Sequence, residues 1–189
     1  MHDKARELEA ITIGPVQRLD GKVVLAAYDP AWPRLFDREA ARMRAALGDR
    51  AMLVEHAGST SVPGLAAKPL IDIVLAVPDS RDEAAYVPDL EAAGYPLRIR
   101  EPEWHEHRLF KGPDTNVNVH TFTAGDSEIR KMLLFRDWLR SNDDERLRYE
   151  RAKRELAARD WAFVQEYADA KGAIVAQILA RAGWVEPAD

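Results

Sequence analysis

The chain has 189 residues, with 27 Lys and Arg against 32 Asp and Glu and a formal net charge of −5. That acidic balance excludes non-specific nucleic-acid binding, which draws on a net basic surface. The absence of cysteine excludes disulfides, thiolate nucleophiles and cysteine-ligated zinc.

A 47% hydrophobic share is that of a globular chain long enough to bury one substantial core. No apolar stretch approaches the roughly twenty residues that a bilayer span needs. The first ten residues carry charges throughout and no apolar signal core, so the expected compartment is the cytoplasm, with no membrane partner. Residues 1–20, with Gly14-Pro15 as punctuation, read as a short helical or loose N-terminal arm, and a single domain is expected over 21–189. Val23–Tyr28 is a short strand candidate, and Asp29-Pro30 after it is a turn and helix entry. Trp32, Leu35, Phe36, Ala40, Met43 and Leu47 recur at three- and four-residue spacing. That period predicts an amphipathic helix over 31–47, closed by Gly48.

The stretch EHAGSTSVPGLAAKPLIDIVLAV, Glu55–Val77, organises the rest. An apolar run over 51–57 predicts a strand, Gly58-Ser59-Thr60-Ser61 a small-residue turn, and 70–77 a second strand. Gly58 tolerates positive φ and close approach of a ligand to the backbone. Successive amides in such a turn suit a phosphate. Asp72 lies inside an otherwise apolar strand, where an ionised carboxylate is costly unless it is paired or holds a metal. Both readings of Asp72 stand on sequence alone. Lys68 does not have the spacing from a glycine that a Walker A loop requires.

Beyond the second strand, 80–93 fits a helix with Gly94 past its end, bent or broken at Pro88. Tyr95–Arg100, His105–Lys111 and Asn116–Phe122 read as strands, the last two joined by the Gly112-Pro113-Asp114 turn as a hairpin. Asn116, Asn118 and His120 share one strand face. From Asp126 the pattern is helical: one helix ending near Ser141–Asp143, a second through Leu147 and Leu156, and a third from Trp161 to Leu179 with Gly172 inside it.

HAGSTSVPGLAAKPLIDI resembles the signature of the GrpB family, in the DNA polymerase beta-like nucleotidyltransferase superfamily. YDPAWPRLF, FRDWLR and the Tyr149/Lys153 and Tyr167/Lys171 pairs are similar to further family positions, so the resemblance covers roughly 22–183. It implies an α/β (α+β) fold: a nucleotidyltransferase-like mixed sheet with flanking helices, the sheet part to about 125, and a C-terminal helical bundle over 126–183. It also implies a phosphate site at Gly58, Ser59, Thr60 and Ser61, with Lys68 or Lys153 steadying charge. Asp72 would be a catalytic and metal-binding residue, completed by His120 on the later strand. Mg²⁺ or another divalent ion would be the cofactor and a nucleoside triphosphate the substrate. The superfamily pattern has a second acid two residues after the first, and here that position is Val74. The alternative is a non-catalytic accessory module that binds a small phosphate-containing ligand. GrpB-like domains also occur fused to dephospho-CoA kinase, which implies a CoA-biosynthesis enzyme as partner.

Among the other candidates, His56 next to the glycine turn could contact a ligand or pin the loop. His105 and His107 form a His-x-His pair that transition metals accept and that solvated strands also carry. Arg136 and Arg140 on their helix fit either a ligand or local ion pairs such as Arg136 with Asp137. The i,i+4 pairs Tyr149/Lys153 and Tyr167/Lys171 put each ring beside its lysine.

Overall fold

The computed structural model describes residues 2–187. Seven α-helices and five strands occur among them: α1 His2–Ile11, α2 Trp32–Leu47, β1 Leu53–Ala57, β2 Ile71–Val77, α3 Val87–Ala92, β3 Leu97–Glu101, β4 His107–Lys111, β5 Val117–Thr123, α4 Ser127–Ser141, α5 Asp143–Ala157, α6 Val164–Ala170 and α7 Gly172–Arg181. The strands form one mixed sheet in the order β1-β2-β5-β4-β3. Only β2 and β5 run parallel, and the other three pairs are antiparallel.

Alternation along β2 gives the sheet two different faces. Ile71, Ile73, Leu75 and Val77 pack with Val117 and Val119 against Trp32, Met43 and Leu47 of α2 and Leu90 of α3. Each such side chain contributes roughly 1.5–3 kcal/mol when fully buried. On the opposite face Val74, Ala76, Ala57 and Phe122 lie under Ile129, Met132 and Leu133 of α4. Asp72 belongs to that second face, where the apolar cover gives way to polar residues. A third cluster joins Val62 and Leu65 of the β1–β2 connection to Leu139, Tyr149 and Ile178. It docks the C-terminal helices onto the glycine turn.

Local chemistry sets the helix boundaries. The Asp29 carboxylate accepts a hydrogen bond from the Ala31 amide at 2.8 Å, just ahead of α2, and Gly48 ends that helix at φ 57°. Asp126 caps α4 by accepting from the Glu128 amide at 2.7 Å.

Three expectations change. Val23–Tyr28 is not a strand: it is an extended segment with one isolated bridge, Ala26 to Ala67. Pairing stops there because only the 66–67 loop, and no sheet edge, lies alongside. The helix expected over 80–93 is a single 3₁₀ turn, Glu83–Ala85, followed by α3. Pro88 sits in the first turn of α3, where its missing N–H costs nothing. The long third C-terminal helix is two, broken at Lys171 between α6 and α7. The N-terminal arm is helical and anchored, with Leu8 buried and the Ile13 amide donating to the Arg98 carbonyl at 2.7 Å.

Candidate functional site

The β1–β2 connection is fixed from three sides. Gly58 adopts φ 64° and ψ −174°, a region that side chains other than glycine's occupy only under strain. A Cβ there would stand 2.3 Å from Asp72 Oδ2 and 2.9 Å from Asp72 Cβ. The space that Gly58 leaves open is therefore filled by the Asp72 carboxylate. Thr60 and Ser61 are buried and bonded internally. The Thr60 hydroxyl donates to the Leu70 carbonyl at 3.0 Å, and that of Ser61 to the Gly58 carbonyl at 2.6 Å. His56 Nε2 lies 3.1 Å from Thr60 Oγ1. The single hydroxyl proton is already given to Leu70, so the ring nitrogen must be the donor. Burial pushes the His56 pKa down to about 4, and the neutral ring stacks on Phe36 at 4.9 Å. His56 pins the loop.

Helix α4 grips the same turn from outside. Arg136, buried, donates to Glu55 at 2.7 Å and to the His56 carbonyl at 2.9 Å, and to Asp137 at 2.7 Å. Arg140 donates twice to the Ser61 carbonyl, at 3.0 and 2.8 Å. Both arginines thus serve the scaffold.

Asp72 and His120 come together, with Asp72 Oδ1 lying 3.5 Å from His120 Nε2. The strand register explains it: Asp72 is paired with Asn118 and Val74 with His120, so the four share a face. Asn118 Nδ2 donates to Asp72 Oδ1 at 3.2 Å, while its carbonyl accepts from Lys111 of β4. Burial acts to raise the Asp72 pKa. The contact with His120 and the charges of Lys68 and Lys171 outweigh it, and the net shift is downward.

Lysines from three parts of the chain, Lys68, Lys111 and Lys171, act on this carboxylate, and a fourth lysine holds the glycine turn beside it. Lys153 on α5, buried, donates to Ser59 Oγ at 3.1 Å and to the Ala66 carbonyl, with its ammonium 4.9 Å from the centre of the Tyr149 ring. Lys171, at the break between α6 and α7, lies over Tyr167 at 4.7 Å. Burial lowers the basicity of Lys68, Lys111, Lys153 and Lys171 alike. For Lys153 burial, reinforced by Lys171, brings the pKa to about 7. Lys68 and Lys171 have neither a hydrogen bond nor an ion pair among the described residues. The Tyr167 hydroxyl is likewise buried with no partner among the described residues.

As a metal centre the donor set falls short. Asp72 and His120 make one pair, and among the described residues no group of three or more His, Cys, Asp and Glu side chains is arranged around a common point. Val74 is fully buried among Ala57, Ala76 and Phe122. The His-x-His pair divides: His105 Nδ1 lies 2.9 Å from Asp126, whereas His107 turns to Glu101 and His120. Lys111, Lys171 and the Glu101–His107 pair were not assigned to this site from the sequence. The i,i+4 tyrosine–lysine spacing did flag Lys171, but nothing local to Lys111 or Glu101 signals its strand partner.

A mixed five-stranded sheet under C-terminal helices, with one acid and several lysines on a partly covered face, defines an α/β domain with a polar site at its glycine turn. The GrpB protein family model matches residues 22–181, and the chain belongs to the GrpB family. It is 59% identical to a UPF0157 protein of Halalkalibacterium halodurans, over 93% of this chain and 90% of that one. It is also similar to the crystal structure of the conserved protein GrpB from Enterococcus faecalis, with a TM-score of 0.74 and 32% identity, covering 84% of this chain and 96% of that one. A dephospho-CoA kinase of Mycolicibacterium paratuberculosis is 31% identical over 79% of this chain, which spans 43% of that enzyme. No helix among the described residues is long and apolar enough to cross a membrane.

Proposed function

We propose that this domain binds a phosphate-bearing ligand, a nucleotide or a CoA-type pyrophosphate, where Lys68, Lys111 and Lys171 surround Asp72 and Lys153 reaches Ser59 of the glycine turn. The lysine cluster carries the reading. Three ammonium groups with burial-lowered basicity, Lys68, Lys111 and Lys171, stand around one carboxylate, and a fourth, Lys153, adjoins Lys171 at the glycine turn. Partly buried charges without counter-ions oppose folding, and an arriving polyanion would relieve that cost. The unpartnered Tyr167 hydroxyl and Ser59, already within reach of Lys153, add polar groups to the same region. Gly58 serves the ligand indirectly, by seating Asp72, and Thr60 and Ser61 hold the turn.

The reading is of binding rather than metal-assisted nucleotidyl transfer. Paired-metal transfer draws on several oxygen ligands to hold the ions and screen developing charge. Asp72 supplies one carboxylate, His120 a nitrogen, and the second acid's place is filled by Val74. The likeness to part of a dephospho-CoA kinase favours a compatible second reading. In it the domain is an accessory module beside a CoA-biosynthesis enzyme and takes CoA or its precursor.

Calorimetric titration of pyrophosphate, ATP and CoA, each with and without Mg²⁺, tests both readings. Binding is expected to persist in EDTA. Lys68→Gln and Lys171→Gln should each weaken it about tenfold, near the energy of one charge-assisted hydrogen bond. If none of the three binds at millimolar concentration, or if both variants bind as the natural protein does, the anion site is wrong. Preference for CoA over ATP would support the accessory reading.

A further inference from the structure

A chain of four titratable groups runs along the sheet into this site. Glu101 Oε2 lies 2.6 Å from His107 Nδ1, His107 Nε2 lies 3.2 Å from His120 Nδ1, and His120 Nε2 lies 3.5 Å from Asp72 Oδ1. Strand register builds it, with Glu101 paired to His107 across β3 and β4, and His120 one strand further in. His107 is buried and packed on Phe122 at 4.9 Å, with Trp104 edge-on at 5.2 Å. Its ring is therefore held from both sides.

The three contacts need three protons, and two neutral imidazoles carry only two. The shortest contact, Glu101 to His107, places a proton on His107 Nδ1. Burial lowers the His107 pKa against the pull of Glu101, and in the neutral ring, with its proton on Nδ1, Nε2 is an acceptor and His120 must donate from Nδ1. That leaves Nε2 of the neutral His120 ring as a lone pair turned toward Asp72, at the longest of the three separations; the contact that favours ionised Asp72 is the one made when this ring carries both protons. Asp72 faces His120 from β2, and Lys68, Lys171 and, through Asn118, Lys111 from β4 act on that carboxylate.

We propose that Glu101 and His107 are positioning residues of the anion site: acting through His120, they fix its Nδ1 as a donor and leave Nε2, beside Asp72, as the proton-accepting edge that faces the ligand. A carboxylate that sets the tautomer of a histidine through its far nitrogen is a general device, and here it works through a second ring. The proposal deepens the anion-site reading, and its test needs no ligand.

Long-range ¹H–¹⁵N correlation spectra of the full chain, labelled at histidine and recorded at about pH 9, beyond the range in which histidines titrate, read the tautomers directly. The expected result is a proton on Nδ1 of both His107 and His120. Glu101→Leu removes the acceptor. His107 should then carry its proton on Nε2, reversing the bond so that His120 Nδ1 accepts and Nε2–H points at Asp72. Glu101→Gln, whose carbonyl can still accept, should restore the natural tautomers. A natural protein with no proton on His120 Nδ1 overturns the proposal whether or not any variant folds. So does a His120 tautomer unmoved by Glu101→Leu. Failure of pyrophosphate, ATP and CoA to bind would instead strike the anion-site reading and leave the tautomer result intact.

Discussion

Gly58→Ala should be among the most damaging small substitutions in this protein, for two separable reasons. The backbone there, at φ 64° and ψ −174°, costs a side-chain-bearing residue about 1–3 kcal/mol. The new methyl would also stand 2.3 Å from Asp72 Oδ2, 2.9 Å from its Cβ and 3.0 Å from its Cγ. Asp72 is set on a central strand between β1 and β5, so its Cβ cannot move aside, and overpacking of this kind costs about 1–3 kcal/mol more. Together the loss is about 2–6 kcal/mol. Gly64→Ala is the control. Gly64 has φ 78° with nothing within 4 Å of its Cβ position, so only the left-handed backbone term, about 1–2 kcal/mol, applies. Urea unfolding of both variants, and of each combined with Asp72→Ala, measures the terms. Removing the Asp72 carboxyl group should recover part of the Gly58→Ala loss and none of the Gly64→Ala loss, as expected for side chains in direct contact. Equal costs at positions 58 and 64, or strict additivity of Gly58→Ala with Asp72→Ala, would refute the packing of Gly58 on Asp72.

Lys153 predicts a pH dependence. Its folded-state pKa, about 7 against a usual 10.5, is depressed. Below about pH 7 the ammonium is present in both states and its burial costs stability; between the two values the unfolded chain holds the extra proton, so stability rises with pH. The difference bounds the effect at about 5 kcal/mol, and Lys153→Met should flatten the rise between pH 7 and 10; parallel stability–pH curves for the two proteins would refute it. Val74→Asp would bury a carboxylate beside Asp72 among Ala57, Ala76 and Phe122 and should lower stability by about 3 kcal/mol or more. An unfolding midpoint within error of the natural protein's would mean that position 74 is not the closed apolar site described.

Local chemistry made much of the scaffold readable. The period of Trp32, Met43 and Leu47, together with Gly48, located α2 to within one residue. The apolar runs around GSTS placed β1 and β2, and the alternation of Asn118 and His120 gave β5 a polar face. Reading failed where a local pattern lacked its neighbour. Val23–Tyr28 has strand-like residues with only a loop alongside, and Gly172, read as internal to one helix, instead opens α7 after a break at Lys171. His105 and His107 looked equivalent at i,i+2, yet φ 51° at His105 puts it outside β4.

The sequence by itself determined the mixed α/β framework, the glycine turn and the presence of one acid in a buried strand, because periodicity, caps and turn residues act over a few positions. The tertiary structure alone decided what the turn is for. Gly58 makes room for Asp72 and His56 holds Thr60. Lys68, Lys111 and Lys171, spread from position 68 to position 171, gather their charge around one carboxylate. Strand register and helix docking create that gathering, and both are set by which apolar faces find each other across the whole chain, a long-range condition that no local window contains.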